Sequence, residues 1–235
     1  MRFNHIFKLT NENETHREYK CDNVNINIDF ISGSALRVAV FNDNAEMLPT
    51  FTVNPNNNLS SLGRSRLSVD GFDCVAPVVE KFENKEKFVL DCGVTVDLDL
   101  NNFILSYSKE SKLLFADRAP LAYNFEGEFG NGSYHYITRE DDEHIFGLGD
   151  KSGLINKAGQ VYRVETADSM GFDAEKTDPL YKHVPFYICE NSVGAYGIYY
   201  DTTDTSFVDL GREINNYYCH FKYFKTDDDC LVYYV

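Results

Sequence analysis

Strict alternation of apolar and polar residues constrains this chain more than any other feature. In Val24-Asn25-Ile26-Asn27-Ile28-Asp29-Phe30 the apolar side chains fall at every second position. A strand turns successive side chains to opposite faces, so this segment reads as a half-buried strand with its polar residues outward. Leu36 to Phe41 continues the pattern after a Gly-containing turn at Ser32-Gly33-Ser34. Period 2 returns between Lys87 and Leu105, with a turn at Asn101-Asn102. Further strands are predicted over Ser133–Thr138, Val184–Cys189, Tyr196–Tyr200, Ser206–Leu210, Tyr217–Phe224 and Cys230–Val235. β-branched and aromatic residues fill them, as strands prefer. No long window carries a helical stripe. The pattern predicts an all-β fold, an antiparallel β-sandwich or a barrel.

At 235 residues the chain is long enough to bury a sizeable core. Asn54–Ser61 is its most loop-like segment. Leu148–Lys182 differs from the rest: it is polar, Gly-punctuated and lacks a sustained period. So long an excursion from a compact β domain is usually functional or disordered. The chain stops at Val235 inside an apolar strand, whereas domain ends are usually polar and frayed, so it reads as cut from something longer.

Lys plus Arg total 22 against 37 for Asp plus Glu, a formal net charge of -15. Phosphate backbones and anionic membranes repel such a surface, which argues against both as partners. No apolar run is long enough for a membrane helix, and no leader peptide is legible at the start. Cys21, Cys74, Cys92, Cys189, Cys219 and Cys230 show no metal spacing and are expected as reduced, mostly buried thiols of a cytoplasmic protein. The Asn-x-Ser/Thr triplets at Asn13, Asn58 and Asn131 then read as chance matches.

No cofactor or metal is indicated. Gly147-Leu148-Gly149-Asp150-Lys151-Ser152-Gly153 superficially matches a phosphate-cradling loop, but no apolar helix follows it. A tight glycine turn leaving a strand is the better reading. The acid runs Asp141-Asp142-Glu143 and Asp227-Asp228-Asp229 lack the ligand pattern of a calcium loop and are expected as solvated hairpin turns. No nucleophile elbow is present. Glycosidase chemistry needs only two carboxylates, and 37 acids offer no way to choose them. Asp168 stands out because it lies in the long excursion. It is either an Asx turn before Gly171 or a carboxylate held at a loop tip to accept hydrogen bonds from sugar hydroxyls.

Residues Phe146–Gly153, Ile155–Gly159 and Tyr162-Arg163 resemble glycoside hydrolase family 31, the α-glucosidase and α-xylosidase family. The matching blocks continue in order through Thr166-Ala167-Asp168, Thr177–Lys182, Val184–Phe186, Tyr196–Asp201 and Phe207–Gly211. The resemblance is specific from about Ile145 to Val235 and looser before that. It implies an N-terminal β-sandwich of the galactose-mutarotase-like (supersandwich) kind over residues 1–235, with a substrate-side loop at about 148–182. It also implies a catalytic (β/α)₈ barrel that is absent from this chain, with a retaining nucleophile and acid/base pair roughly 5–5.5 Å apart. The fragment alone is then expected to be inactive. Asp168 inherits the family's sugar-binding role, although Thr166 stands where the family usually has Asn. The implied partners are an α-linked oligosaccharide or α-glycoside and the barrel itself. Tyr181–Phe186 is expected in the barrel-facing patch, through which copies could also associate.

Two other classes remain open. A free-standing carbohydrate-binding module would need an exposed aromatic platform, and the chain has no Trp, although its Phe and Tyr could substitute. A mutarotase-like epimerase would need His and Glu facing one another in a groove, and nothing selects among His135, His144, His183 and His220.

Overall fold

A computed structural model describes residues 5–55, 63–125, 131–215 and 219–235. Most of the Asn54–Ser61 loop, the Asn58 triplet, the start of the Tyr217–Phe224 strand and the Cys219 side chain lie outside those residues. Among them there is no α-helix, only a 3₁₀ turn at Ser32–Ser34, where the Gly-containing turn is expected.

Two layers of antiparallel strands enclose one core. The first layer comprises β1 (Lys8–Glu12), β2 (His16–Cys21), β3 (Val24–Ile31), β4 (Ala35–Asn42), β11 (His144–Gly147), β13 (Phe186–Glu190), β14 (Ala195–Tyr200) and β17 (Leu231–Tyr234). These form one 8-stranded sheet in the order β1-β2-β3-β4-β17-β14-β13-β11. The second layer contains a meander of β5 (Val78–Lys81), β6 (Lys85–Val89), β7 (Val94–Asp99), β8 (Ile104–Lys109) and β9 (Lys112–Ala116). Beside it lies the sheet β10-β16-β15-β12, made of β10 (Ser133–Thr138), β12 (Val161–Val164), β15 (Ser206–Asn215) and β16 (Cys219–Thr226). An Asp117–Ile137 bridge and the Arg118 N–H donating to the Tyr136 carbonyl at 2.9 Å join these sheets into one face. This is the galactose-mutarotase-like sandwich expected from the family resemblance.

The alternation works as predicted on the inner side. Ile26 pairs with Val40, Ile28 with Val38 and Phe30 with Leu36, and all six are buried in the core. Burial of such side chains contributes about 1.5–3 kcal/mol each. The segment from Lys87 to Leu105 holds parts of three strands, not two. A further turn at Asp91-Cys92-Gly93, closed by the Gly93 N–H to the Leu90 carbonyl at 2.9 Å, separates β6 from β7. The reading also missed β1, β2, β5, β9, β11 and β12, which are short or charged.

The outer side departs from expectation. Asn27, Asp29 and Arg37 alternate out of the core yet are buried. The segment after β4 crosses this face and covers them. Arg37 Nη1 donates to the Arg66 and Ser68 carbonyls at 2.6 and 2.7 Å, and Nη2 to the Leu67 carbonyl at 2.7 Å. The Arg37 guanidinium also donates to Asp29 Oδ2 through Nε at 3.0 Å and Nη2 at 2.8 Å. Asp29 Oδ1 in turn lies 2.7 Å from His16 Nδ1, and Glu18 lies 3.0 Å from His16 Nε2.

The Asp29 hydrogen bond raises the His16 pKa, burial opposes it, and Glu18 adds to the rise. The stabilisation is therefore fully present below the unfolded value of about 6.5 and is lost as pH rises through the higher folded value. Urea unfolding should show a larger stability difference between the natural protein and His16→Gln at pH 6 than well above the folded pKa. A pH-independent difference would show that protonated His16 does not hold this face.

Candidate functional site

The substrate-side loop starts where β11 ends. Gly147 has φ +126°, and a Cβ there would lie 2.6 Å from the Phe186 carbonyl oxygen, so only glycine lets these strands approach. The Leu148 N–H donates to that same carbonyl at 2.8 Å. This is the tight glycine turn expected from the sequence, and no helix follows it.

The excursion is less loose than its composition indicates. β12 lies within it and pairs with β15, Tyr162 opposite Val208. Two lysines stiffen its base. The Lys151 side chain is fully buried and its Nζ sits 3.0 Å from Asp178 Oδ1. The other Asp178 oxygen accepts the Arg163 N–H at 2.5 Å. Lys157 Nζ donates to the Ser152 carbonyl at 3.0 Å and lies 5.3 Å from the Tyr162 ring centroid. Burial lowers the Lys157 pKa, and the neighbouring Lys151 charge lowers it further.

Asp168 stands exposed on the loop. The backbone around it is tied to the returning arm: Ala167 N–H to the Leu180 carbonyl at 3.3 Å, and Ser169 Oγ to the Pro179 carbonyl at 2.8 Å. The Asp178–Pro179 peptide is cis. An exposed carboxylate on a tied loop can accept hydrogen bonds from hydroxyl groups. Two clefts among the described residues lie elsewhere. A 360 Å³ cleft lies between Asn42, Phe125, Tyr134 and Asp229, and a 230 Å³ cleft between Leu36, Tyr107, Tyr196 and Val235. No residue of the excursion lines either one.

Several large apolar side chains of the excursion and of β13 are exposed. Tyr181 and Phe186, within the expected Tyr181–Phe186 patch, are exposed, and Ile188 follows Phe186 on the same face of β13. Leu154 and Ile155 are 79% and 81% exposed and Met170 is 89% exposed, all three on the excursion and none foreseen.

Other expectations need correction. Both acid runs contain one buried member. Glu143 forms an ion pair with Lys222 at 2.5 Å, and Asp228 forms one with Arg66 at 2.5 Å. They are not simply solvated turns, because each accepts a cation that the fold has carried inside. The thiols are not mostly buried either. Among the described residues Cys189 and Cys230 are buried, Cys21 and Cys74 are partly exposed and Cys92 is exposed.

Of the four histidines considered for epimerase chemistry, His135 is sealed in the core between Asp117 at 2.9 Å and the Tyr200 hydroxyl at 3.0 Å. His144 contacts the Asn156 amide, and His183 the Asp204 carbonyl. Among the described residues no hydrogen bond or ion pair joins His135, His144, His183 or His220 to a glutamate.

The fold is that of a galactose-mutarotase-like β-sandwich domain. The family model for the glycosyl hydrolase 31 N-terminal galactose mutarotase-like domain matches residues 25–209, and the chain belongs to that family. It is 25% identical over 130 residues to alpha-glucosidase 2 of Bacillus thermoamyloliquefaciens, a match covering 55% of this chain and 15% of that protein. A glycoside hydrolase family 31 dextranase of Flavobacterium johnsoniae, solved with glucose, superposes with TM-score 0.73 at 21% identity, over 100% of this chain and 26% of that one. An α-1,4-glucan lyase of Gracilariopsis lemaneiformis superposes with TM-score 0.72 at 12% identity, over 98% and 28%. The chain thus spans between 15% and 28% of the length of these relatives.

Proposed function

We propose that this chain is the N-terminal sandwich of a retaining α-glycosidase, with α-glucosides as its foremost substrates. In this reading it packs on a catalytic barrel and lends the Asp168 loop to the sugar pocket. The observation that carries it is an exposed carboxylate on a tied loop that also bears the exposed apolar side chain of Met170. Such a loop makes sense where a second domain supplies the rest of the pocket. The family supports the sugar, since one relative is an α-glucosidase by name and another was solved with glucose.

The barrel would carry the nucleophile and the acid/base residue. Asp168 would accept hydrogen bonds from sugar hydroxyls and fix the ring against them. Hydrogen bonds to a charged group contribute about 1.5–3 kcal/mol, which corresponds to roughly tenfold to over a hundredfold in rate. In the polypeptide that joins this chain to its barrel, Asp168→Ala should therefore lower kcat/KM on a nitrophenyl α-glucoside by about tenfold to a hundredfold, with the melting temperature unchanged. The 235-residue chain alone should not turn that substrate over. Robust turnover by the chain alone, or an unaltered kcat/KM in the variant, refutes the reading.

A further inference from the structure

We infer that Ser169 and Tyr181 are positioning residues for Asp168, an inference that rests on the sugar-contact reading above. Ser169 is held from both of its ends. Its hydroxyl donates to the Pro179 carbonyl at 2.8 Å, and its own carbonyl accepts the Tyr181 hydroxyl at 3.1 Å. One residue before Asp168, the Ala167 N–H donates to the Leu180 carbonyl at 3.3 Å. The short run 167–169 is thereby tied along 179–181, with Asp168 and Met170 turned outward on either side of the anchored serine. Below this, the buried Lys151 amine holds Asp178, the residue that begins the returning arm.

The arrangement matters because an exposed side chain on a free loop must be ordered when substrate binds. Ordering a segment beforehand removes that cost from binding, and small misplacements of a contacting group cost large factors in rate. Three ties flank Asp168, and two of them, through the Ser169 and Tyr181 hydroxyls, are made by side chains. Tyr181 is 42% exposed and its ring meets Phe172 edge-on at 6.2 Å, so Tyr181→Phe keeps the ring contact and removes only the hydroxyl. The effect on the fold should be small. The effect on the Asp168 carboxylate, next to Ser169 and thirteen residues from Tyr181 along the chain, should be felt only through its placement.

A double-mutant cycle in the barrel-containing polypeptide separates placement from general stability. Ser169→Ala and Tyr181→Phe should each lower kcat/KM on a nitrophenyl α-glucoside by about threefold to tenfold. Ser169→Thr, which keeps the hydroxyl, should restore most of that loss. In the Asp168→Ala background both substitutions should change kcat/KM by less than about twofold, because nothing is left to position. Natural activity in Ser169→Ala and Tyr181→Phe beside an impaired Asp168→Ala overturns the inference and leaves the sugar contact standing. Losses that persist undiminished without Asp168 also overturn it. An Asp168→Ala polypeptide with natural kinetics overturns the sugar contact and this inference together. If Ser169→Ala does not fold, the cycle is run with Tyr181→Phe, whose ring packing is conserved.

Discussion

Lys222→Met should lower the unfolding free energy by about 3–5 kcal/mol, the cost of leaving a buried carboxylate without its cation. Lys222 lies on β16 and points between the layers. Its Nζ donates to Glu143 Oε1 at 2.7 Å, Glu143 Oε2 at 2.5 Å and the Tyr196 hydroxyl at 2.7 Å. Cys189 Sγ lies 3.8 Å away, its thiol pushed up to about 11 by burial. The pair also staples distant parts of the chain, since Glu143 and Lys222 are 79 residues apart. Without the amine, Glu143 keeps only the Tyr196 hydroxyl at 2.9 Å. Replacing both partners, as Glu143→Leu with Lys222→Met, should recover most of the loss, because apolar side chains of similar size leave no orphaned charge. Urea unfolding of the three variants checks this. A loss below about 1 kcal/mol for Lys222→Met would show that Glu143 finds other partners or water.

Arg37→Met should cost about 3 kcal/mol and release the segment that crosses the outer face of the large sheet. Five hydrogen bonds leave this guanidinium, which is 1% exposed. Three of them go to consecutive backbone carbonyls, those of Arg66, Leu67 and Ser68; the first two would lose this donor, while Ser68 keeps Arg64 Nη2 at 2.6 Å. The loss falls at the low end of the range because Asp29 keeps its 2.7 Å contact with the His16 imidazole. Hydrogen exchange should rise in residues 64–74 while β3 and β4 stay protected. Uniform exchange across both regions would mean that the crossing segment is held by something other than Arg37.

The architecture was legible because the core is built from alternation. Val24, Ile26, Ile28 and Phe30 announce their strand and its inner face without any long-range information. What alternation does not carry is what covers the other face. Asp29 and Arg37 obey the same pattern as any solvent-facing residue, and only the crossing segment buries them. The same holds for Glu143 and Asp228, each inside an acid run whose neighbours are exposed. One local signal was present: Lys222 keeps the same parity as the buried Phe224, and a lysine in phase with a core aromatic needs a partner.

The candidate site shows the opposite balance. The chain's own physics placed Asp168 in an unusual stretch but left its role open between a turn and a ligand. The family resemblance implies a sugar contact there, and the structure adds the ties at Ala167 and Ser169. Leu154, Ile155 and Met170 escaped notice because apolar residues in a polar stretch carry no periodicity.

The central claim is that this sandwich reaches a sugar through Asp168. The most direct measurement is a crystal structure of the barrel-containing polypeptide with glucose in the pocket. An Asp168 carboxylate oxygen is expected within about 2.5–3.0 Å of a sugar hydroxyl. An occupied pocket with Asp168 beyond hydrogen-bond reach, its loop turned to solvent, would contradict it.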